Sequence, residues 1–431
     1  MKIALVAEQA SQLTPSRGRT APCGGPAHGL VPLAGALAGL GHDVTVYARR
    51  DAGSQPSRTS LVPGVTLERL PAGPAAVLPP DQVLAHMSAF SGQLAKRWNR
   101  STPDVVHAHY WTSGLAALAA TRDVSVPVVQ TFHALGVSEH RAAGRPGRLS
   151  HAAAAAGAAG GLGLDRRIKM EALIARSVSA VLASSSGEQD DLTRLGVPRR
   201  SVTVVPYGVD TSQFLPEGPV ARRSSKPRLL AVDPLVSPDP VAGIIRAFAE
   251  VPGCELVIAG GPARSGLAGH PVYKQLMTLA ASLRVDRRVV FVGQVSQARM
   301  PALLRSADLL VHTTLHEPFG MTPLEAMACG TPVMAAAGGA HEDEVVDGAT
   351  GVLVRPGRPA ALAARIRHLL ATPMLLQGYG IAAADRARSR YSWDRIGRET
   401  LAVYERSLPG GRLAGGLAGD DLAEDGFRVA A

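Results

Sequence analysis

Residues 309–333 read Leu309-Leu310-Val311-His312-Thr313-Thr314-Leu315-His316-Glu317-Pro318-Phe319-Gly320-Met321-Thr322-Pro323-Leu324-Glu325-Ala326-Met327-Ala328-Cys329-Gly330-Thr331-Pro332-Val333. Leu309–His312 is a short apolar run of the kind that forms a buried strand. Pro318 and Gly320 mark a tight turn, and Thr322-Pro323 puts a proline near the start of a helix, where its missing N–H costs nothing. Gly330 closes that helix and Pro332-Val333 opens the next strand. Strand, turn, helix and strand in so short a span describe the repeating unit of a parallel sheet. Glu317 stands before the turn and Glu325 in the opening turns of the helix, eight residues on. Free N–H groups at such a helix start attract a phosphate. Two carboxylates beside them can accept hydrogen bonds from the hydroxyls of one ligand. The spacing alone equally allows a solvated Glu325 and a turn-stabilising Glu317.

The same alternation extends in both directions. Strand-like runs occur at Ile3–Val6, Val44–Tyr47, Val105–His107, Val128–Phe132, Val178–Ala183 and Val202–Val205. A second series follows at Leu229–Val232, Leu256–Ala259, Val289–Val292, Leu309–His312, Val333–Ala335 and Val352–Val354. Helix-period segments lie between them, among them Leu30–Leu40, Gln82–Arg97, Arg166–Arg176, Gly243–Val251, Val272–Leu283 and Ala360–Leu370. The pattern predicts an α/β protein with two doubly wound, Rossmann-like parallel sheets. The expected domains are 1–207, a linker 208–227 rich in Pro, Gly, Ser and charge, and 228–392. A final amphipathic helix at 393–408 and a disordered, Gly-rich and then acidic tail at 409–431 complete the chain. His140–Gly163, with Gly144-Arg145-Pro146-Gly147 and an Ala/Gly run, reads as a long mobile loop or a weak helix.

Composition narrows the function. The chain has 431 residues, 46% of them hydrophobic and 19% charged, which excludes a wholly disordered protein. No apolar stretch is long enough to span a bilayer, and Glu8 interrupts the first apolar run before a signal-peptide core can form. Cys23, Cys254 and Cys329 are far apart, so neither a disulfide framework nor a zinc site is expected, and a cytoplasmic location fits. The formal charge is +10, carried by forty arginines and only five lysines among the 45 basic residues. They are scattered, and no run interleaves them with aromatic residues, so no specific nucleic-acid partner is expected. The surplus suits an anionic substrate, and it is compatible with peripheral membrane contact.

Further segments recur in a characteristic order. Gly24-Gly25 precede the helix Leu33–Leu40; Pro103-Asp104-Val105-Val106-His107-Ala108-His109-Tyr110-Trp111 and Gln130-Thr131-Phe132-His133-Ala134-Leu135-Gly136 follow. Val205-Pro206-Tyr207-Gly208-Val209-Asp210, Ile258-Ala259-Gly260-Gly261-Pro262, Val292-Gly293, Asp347-Gly348-Ala349-Thr350-Gly351 and Tyr391-Ser392-Trp393 come next. Together with Glu317 and Glu325 they resemble GT-B retaining glycosyltransferases of the family-4 type (glycosyl transferases group 1). That group contains the sucrose-phosphate-synthase-like and mycothiol-pathway-like enzymes. The resemblance runs to Leu408.

The resemblance implies two Rossmann-like domains facing across a cleft. It implies transfer of a sugar from a nucleoside-diphosphate-sugar to a small-molecule or glycan acceptor, with retention and without a catalytic metal or other cofactor. Glu325 would hold the ribose hydroxyls and Glu317 the donor sugar. Backbone amides of Phe319, Gly320, Met321 and Thr322 would cradle the diphosphate, and the Gly24-Gly25 loop would close on it. The base would lie near Gly293-Gln294-Val295. His133 would face sugar and acceptor, although a strand-end core histidine fits the same residues. His107 and His109 suit a structural or acceptor-side role. Arg167 and Glu171 match a helix pattern of the family, and a solvated ion pair explains them as well. A monomer or homodimer is expected.

Two departures stand out. The family's Gly-Arg-Leu-x-x-x-Lys-Gly segment, whose cations neutralise the leaving diphosphate, is represented by Asp233-Pro234-Leu235-Val236-Ser237-Pro238-Asp239-Pro240. Pro234 replaces the Arg and Asp239 the Lys. After Gly24-Gly25 come Pro26-Ala27-His28-Gly29, with the histidine displaced by one. These changes raise an alternative: a catalytically silent GT-B pseudo-glycosyltransferase acting as a nucleotide-binding or partner subunit.

Overall fold

The protein is described by a computed structural model covering residues 1–9, 29–143, 163–314, 321–355 and 357–410. The expectations for Gly24, Gly25, Glu317, Phe319 and Gly320, for the centre of the 140–163 segment and for the tail beyond 410 lie outside the described residues.

Two sheets form. The first comprises β1 (Lys2–Gln9), β2 (Asp43–Arg49), β3 (Arg58–Val62), β4 (Val65–Leu70), β5 (Val105–His109), β6 (Val128–Thr131), β7 (Ala180–Ala183) and β8 (Val202–Val204). Its order is β3-β4-β2-β1-β5-β6-β7-β8. The second comprises β9 (Arg228–Val232), β10 (Glu255–Ala259), β11 (Val289–Gly293), β12 (Leu309–His312), β13 (Val333–Ala336) and β14 (Gly351–Val354), ordered β11-β10-β9-β12-β13-β14. The central strands are continuous apolar runs because helices cover both faces of each sheet. Every residue of β5, β6, β9, β12 and β13 is accordingly buried.

The β3–β4 pair is antiparallel and went unread in the sequence. This hairpin lies at the sheet edge, with Pro63-Gly64 at its turn, and β3 is only half covered, so it lacks the apolar run that marks the other strands. Helices Trp111–Ala120, Ser186–Arg194 and Pro373–Arg390 also went unread. The last of these buries mainly Gly and Ala beside Leu376 and Tyr379, a weak periodic signal.

Prolines begin several helices at the first or second position, as at Asp239–Ala249, Pro271–Ser282 and Pro359–Leu370. The final helix, Trp393–Ser407, returns to the first sheet, where Ile396, Val403 and Tyr404 join the core built on Ile3, Leu5 and Leu37. No described helix is long and apolar enough to cross a membrane.

Candidate active site

In an open parallel sheet, ligands bind beyond the carboxyl ends of the strands, where the connections diverge to either side. In the first sheet that point lies at β1 and β5, and in the second at β9 and β12. The two crevices carry most of the described residues singled out from the sequence.

At the first crevice, β5 ends in His109, followed by Tyr110, and β6 leads into His133. Tyr110 and His133 have φ of 70° and 64°. Such backbone costs on the order of 1–3 kcal/mol and persists only where the surroundings hold it. Those surroundings are specific. His133 Nε2 lies 2.8 Å from His109 Nδ1, and His133 Nδ1 lies 2.5 Å from the Tyr207 hydroxyl. The His133 ring stacks on His109 at 18° and meets Tyr110 with centroids 4.5 Å apart. Burial lowers the pKa of His109 to about 3; burial, with His109 adjacent, also holds His133 well below the usual imidazole range. At neutral pH both rings are uncharged and can exchange hydrogen bonds without bringing charge into the cleft. Tyr207, in the turn after β8, therefore ties this histidine pair to the start of the linker. The sequence reading took Tyr207 only as part of a turn.

His107 is structural. Its Nδ1 lies 2.7 Å from the Tyr404 hydroxyl on the final helix and its Nε2 2.9 Å from Thr131 Oγ1. The solvated reading of Arg167 and Glu171 is overturned. Glu171 is fully buried and Arg167 nearly so, with Nε donating to Oε1 at 2.7 Å. Glu171 also accepts from the Gly136 amide, and Arg167 donates to the Ala134 carbonyl. The pair thus pins the loop that follows His133. Periodicity placed both residues on one helix face, but only the packing shows that this face looks inward.

Glu8 had no assigned role. Its carboxylate is buried at the end of β1, accepts from Thr112 Oγ1 at 2.8 Å and from Ser113 Oγ, and its pKa is raised by burial. A carboxylate ending an apolar strand was the available signal. It anchors the first turn of helix Trp111–Ala120, where the helix dipole favours an anion.

At the second crevice, β12 leads through Thr313 and Thr314 toward residues 315–320, and helix Met321–Ala328 follows with every residue buried. Glu325 is 6% exposed, and Gln297 Nε2 donates to its Oε1 at 2.8 Å. Gln297 went unread, although it stands two residues beyond the singled-out turn. That turn starts at Gly293 with φ +74°, where a Cβ would lie 2.7 Å from the Arg264 backbone nitrogen. The Gln294 amide donates to the Pro262 carbonyl. The turn Gly293–Val295 and Glu325 therefore meet through Gln297. Met321 and Thr322 open the helix, both buried. His341 Nε2 lies 3.2 Å from the Thr314 carbonyl and holds the chain where it enters 315–320.

The segment Asp233–Pro240 is locally self-contained. Asp233 is buried and accepts from the Leu235 amide at 2.7 Å. Leu235, at φ 57°, packs under Gly261, and a Cβ on Gly260 would lie 2.0 Å from the Asp233 carbonyl oxygen. Pro234 and Asp239 are exposed, and Asp239 stands in the first turn of helix Asp239–Ala249. A carboxylate occupies that helix start, which would otherwise favour an anion. Among the described residues, no three His, Cys, Asp or Glu side chains gather as a metal site.

Comparison with known proteins agrees with this architecture. The profile of the family described as "Glycosyl transferases group 1" matches residues 219–386, and that of "Glycosyl transferase 4-like domain" matches residues 24–208. A protein of Catenulispora acidiphila named D-inositol 3-phosphate glycosyltransferase 2 is 32% identical over 404 residues, spanning 88% of this chain and 89% of its own. A Mycobacterium tuberculosis protein named D-inositol 3-phosphate glycosyltransferase is 31% identical, spanning 86% and 76%. Among solved structures, a sucrose-phosphate synthase from Thermosynechococcus elongatus superposes with a TM-score of 0.75 at 23% identity, covering 94% of this chain and 98% of that one. Anabaena HepE in complex with UDP gives 0.68 at 18% identity, covering 93% and 99%. The chain belongs to the group 1 glycosyltransferases and has their GT-B fold. It is a glycosyltransferase.

Proposed function

We propose that this glycosyltransferase takes its sugar from a nucleoside-diphosphate-sugar and transfers it with retention to a small-molecule or glycan hydroxyl, amine or thiol. The observation that carries the reading is Glu325, buried at the mouth of the second crevice with one carboxylate oxygen held by Gln297. A carboxylate accepts hydrogen bonds on both oxygens and suits the two ribose hydroxyls of a nucleotide. Glu317 takes the hydroxyls of the donor sugar. The amides of Phe319, Gly320, Met321 and Thr322 meet the charge developing on the leaving diphosphate, which in a closed cleft is a large share of catalysis. Gly24 and Gly25 approach the diphosphate from the first domain, and the base lies against Gly293-Gln294-Val295. His133, neutral and oriented by His109 and Tyr207, hydrogen-bonds sugar and acceptor without adding charge. No metal or other cofactor is needed, and the enzyme works in the cytoplasm. HepE, solved with UDP and with UDP-glucose, supports a nucleotide donor, and the names of the curated relatives make D-inositol 3-phosphate the first acceptor to try.

Calorimetric titration with UDP, GDP, ADP and TDP is expected to show one nucleotide binding. The matching NDP-glucose, incubated with D-inositol 3-phosphate and alternative acceptors, yields a product whose anomeric configuration NMR reads directly. Silence with all four nucleotides would remove the donor assignment, and an inverted anomer would remove retention.

A further inference from the structure

A cavity of about 530 Å³ lies between β8, the edge strand of the first sheet, and helices Pro373–Arg390 and Trp393–Ser407. Four guanidinium groups line it. Arg386 and Arg390 are one turn apart on the first helix; Arg395 and Arg406 lie on one stripe of the second, with Glu399 between them. Two of the four are fixed by the protein. Arg386 donates to the backbone carbonyls of Glu344 and Asp343 at 2.8 and 2.6 Å, and Arg395 donates to Glu399 at 2.7 Å and to the Ser389 carbonyl. Arg390 and Arg406 make no hydrogen bond or ion pair among the described residues. The cavity's two carboxylates are already engaged: Glu399 by Arg395, and Asp343 by the Ser186 amide and hydroxyl, each at 2.6 Å. The cavity therefore carries a positive surplus with unused donors.

Favourable pairing with helix dipoles accounts for Arg390 and Arg406 separately, since each ends its own helix. It does not account for both facing one concavity with Arg386 and Arg395. Planar guanidinium forks match the oxygens of a phosphate. The volume lies within the range of metabolite pockets, roughly 300–1,000 Å³.

We propose that this cavity binds a compact polyanion, a phosphate-bearing small molecule, at a site separate from the donor crevice. It lies where the chain passes between the two sheets, beside Pro206 and Tyr391, and it does not depend on which donor the enzyme uses.

The test is calorimetric titration of the full chain with pyrophosphate at constant ionic strength, with and without saturating UDP. Binding that persists in UDP and weakens about tenfold or more in Arg390→Ala/Arg406→Ala is expected. The same titration of Arg122→Ala/Arg365→Ala, which removes two exposed arginines elsewhere, should match the wild type. The proposal fails if pyrophosphate does not bind, if UDP abolishes its binding, if the cavity variant binds unchanged, or if the control weakens equally. Because pyrophosphate is titrated in the absence of UDP as well, a failure of the donor assignment leaves this result readable.

Discussion

The two crevices obey one topological rule with different chemistry. Beyond β1 and β5 stand uncharged imidazoles, tyrosine hydroxyls and a carboxylate, Glu8, engaged by Thr112 and Ser113. Beyond β9 and β12 stand the carboxylates Glu325 and Asp233, with Pro234 and Asp239 at the positions where the family resemblance implied an arginine and a lysine. The first crevice is thus arranged for polar groups without net charge. Under the proposed function, the second holds hydroxyls through carboxylates and phosphate through backbone N–H groups. A chain with a formal charge of +10 carries no cation in the segment Asp233–Pro240. Global charge and local charge answer different questions.

The contrast can be broken most sharply at Glu325. If Glu325 holds the ribose as proposed, Glu325→Ala removes two charge-assisted hydrogen bonds, about 3–6 kcal/mol. Steady-state kinetics should show kcat/KM falling on the order of 10²–10⁴-fold with the fold intact. Undiminished kcat/KM would move the donor site elsewhere.

In the first crevice the largest effect is on stability. Glu171→Ala removes the buried carboxylate that pairs with Arg167 Nε, which costs about 3–5 kcal/mol. Urea unfolding should show a markedly lower midpoint, and a midpoint near wild type would mean that water reaches the guanidinium.

A pH experiment separates the crevices further. His109 has a folded pKa of about 3 and an unfolded value near 6.5, so the unfolded chain binds more protons between those limits. Its contribution is present above pH 6.5 and is lost as the pH falls toward 3. Between pH 7 and pH 5 the wild type should lose about 2 kcal/mol more than His109→Asn, from one group titrating over roughly 1.5 pH units. Equal losses in the two proteins would show His109 to be solvated.

The smallest effect expected is a gain. Asp239→Lys, alone or with Pro234→Arg, returns a cation to the second crevice and should raise kcat/KM about tenfold for a diphosphate donor. No gain would show that helix-start amides and other groups already saturate the phosphate.

Much of this was legible before any coordinates. The apolar runs from β5 to β14 were readable because strands covered on both faces cannot carry polar alternation. Glu325 was readable because Thr322-Pro323 and Gly330 bracket its helix. The β3–β4 hairpin was not, since an edge pair with one half-covered strand lacks that signature. Nor was the partner of Glu325, since Gln297 lies 28 positions earlier in the chain and nothing local marks the encounter.

By itself, then, the sequence determined the two-sheet architecture, the family and the helix that bears Glu325, because these rest on periodicity and on turn chemistry within a few residues. The tertiary structure alone decided that Arg167 and Glu171 face inward, that His107 is structural while His109 and Tyr207 orient His133, and that four arginines converge behind β8. Each of those outcomes depends on burial and on contacts between residues distant in the chain, and hydrogen-bond partners and local dielectric exist only once the chain has folded.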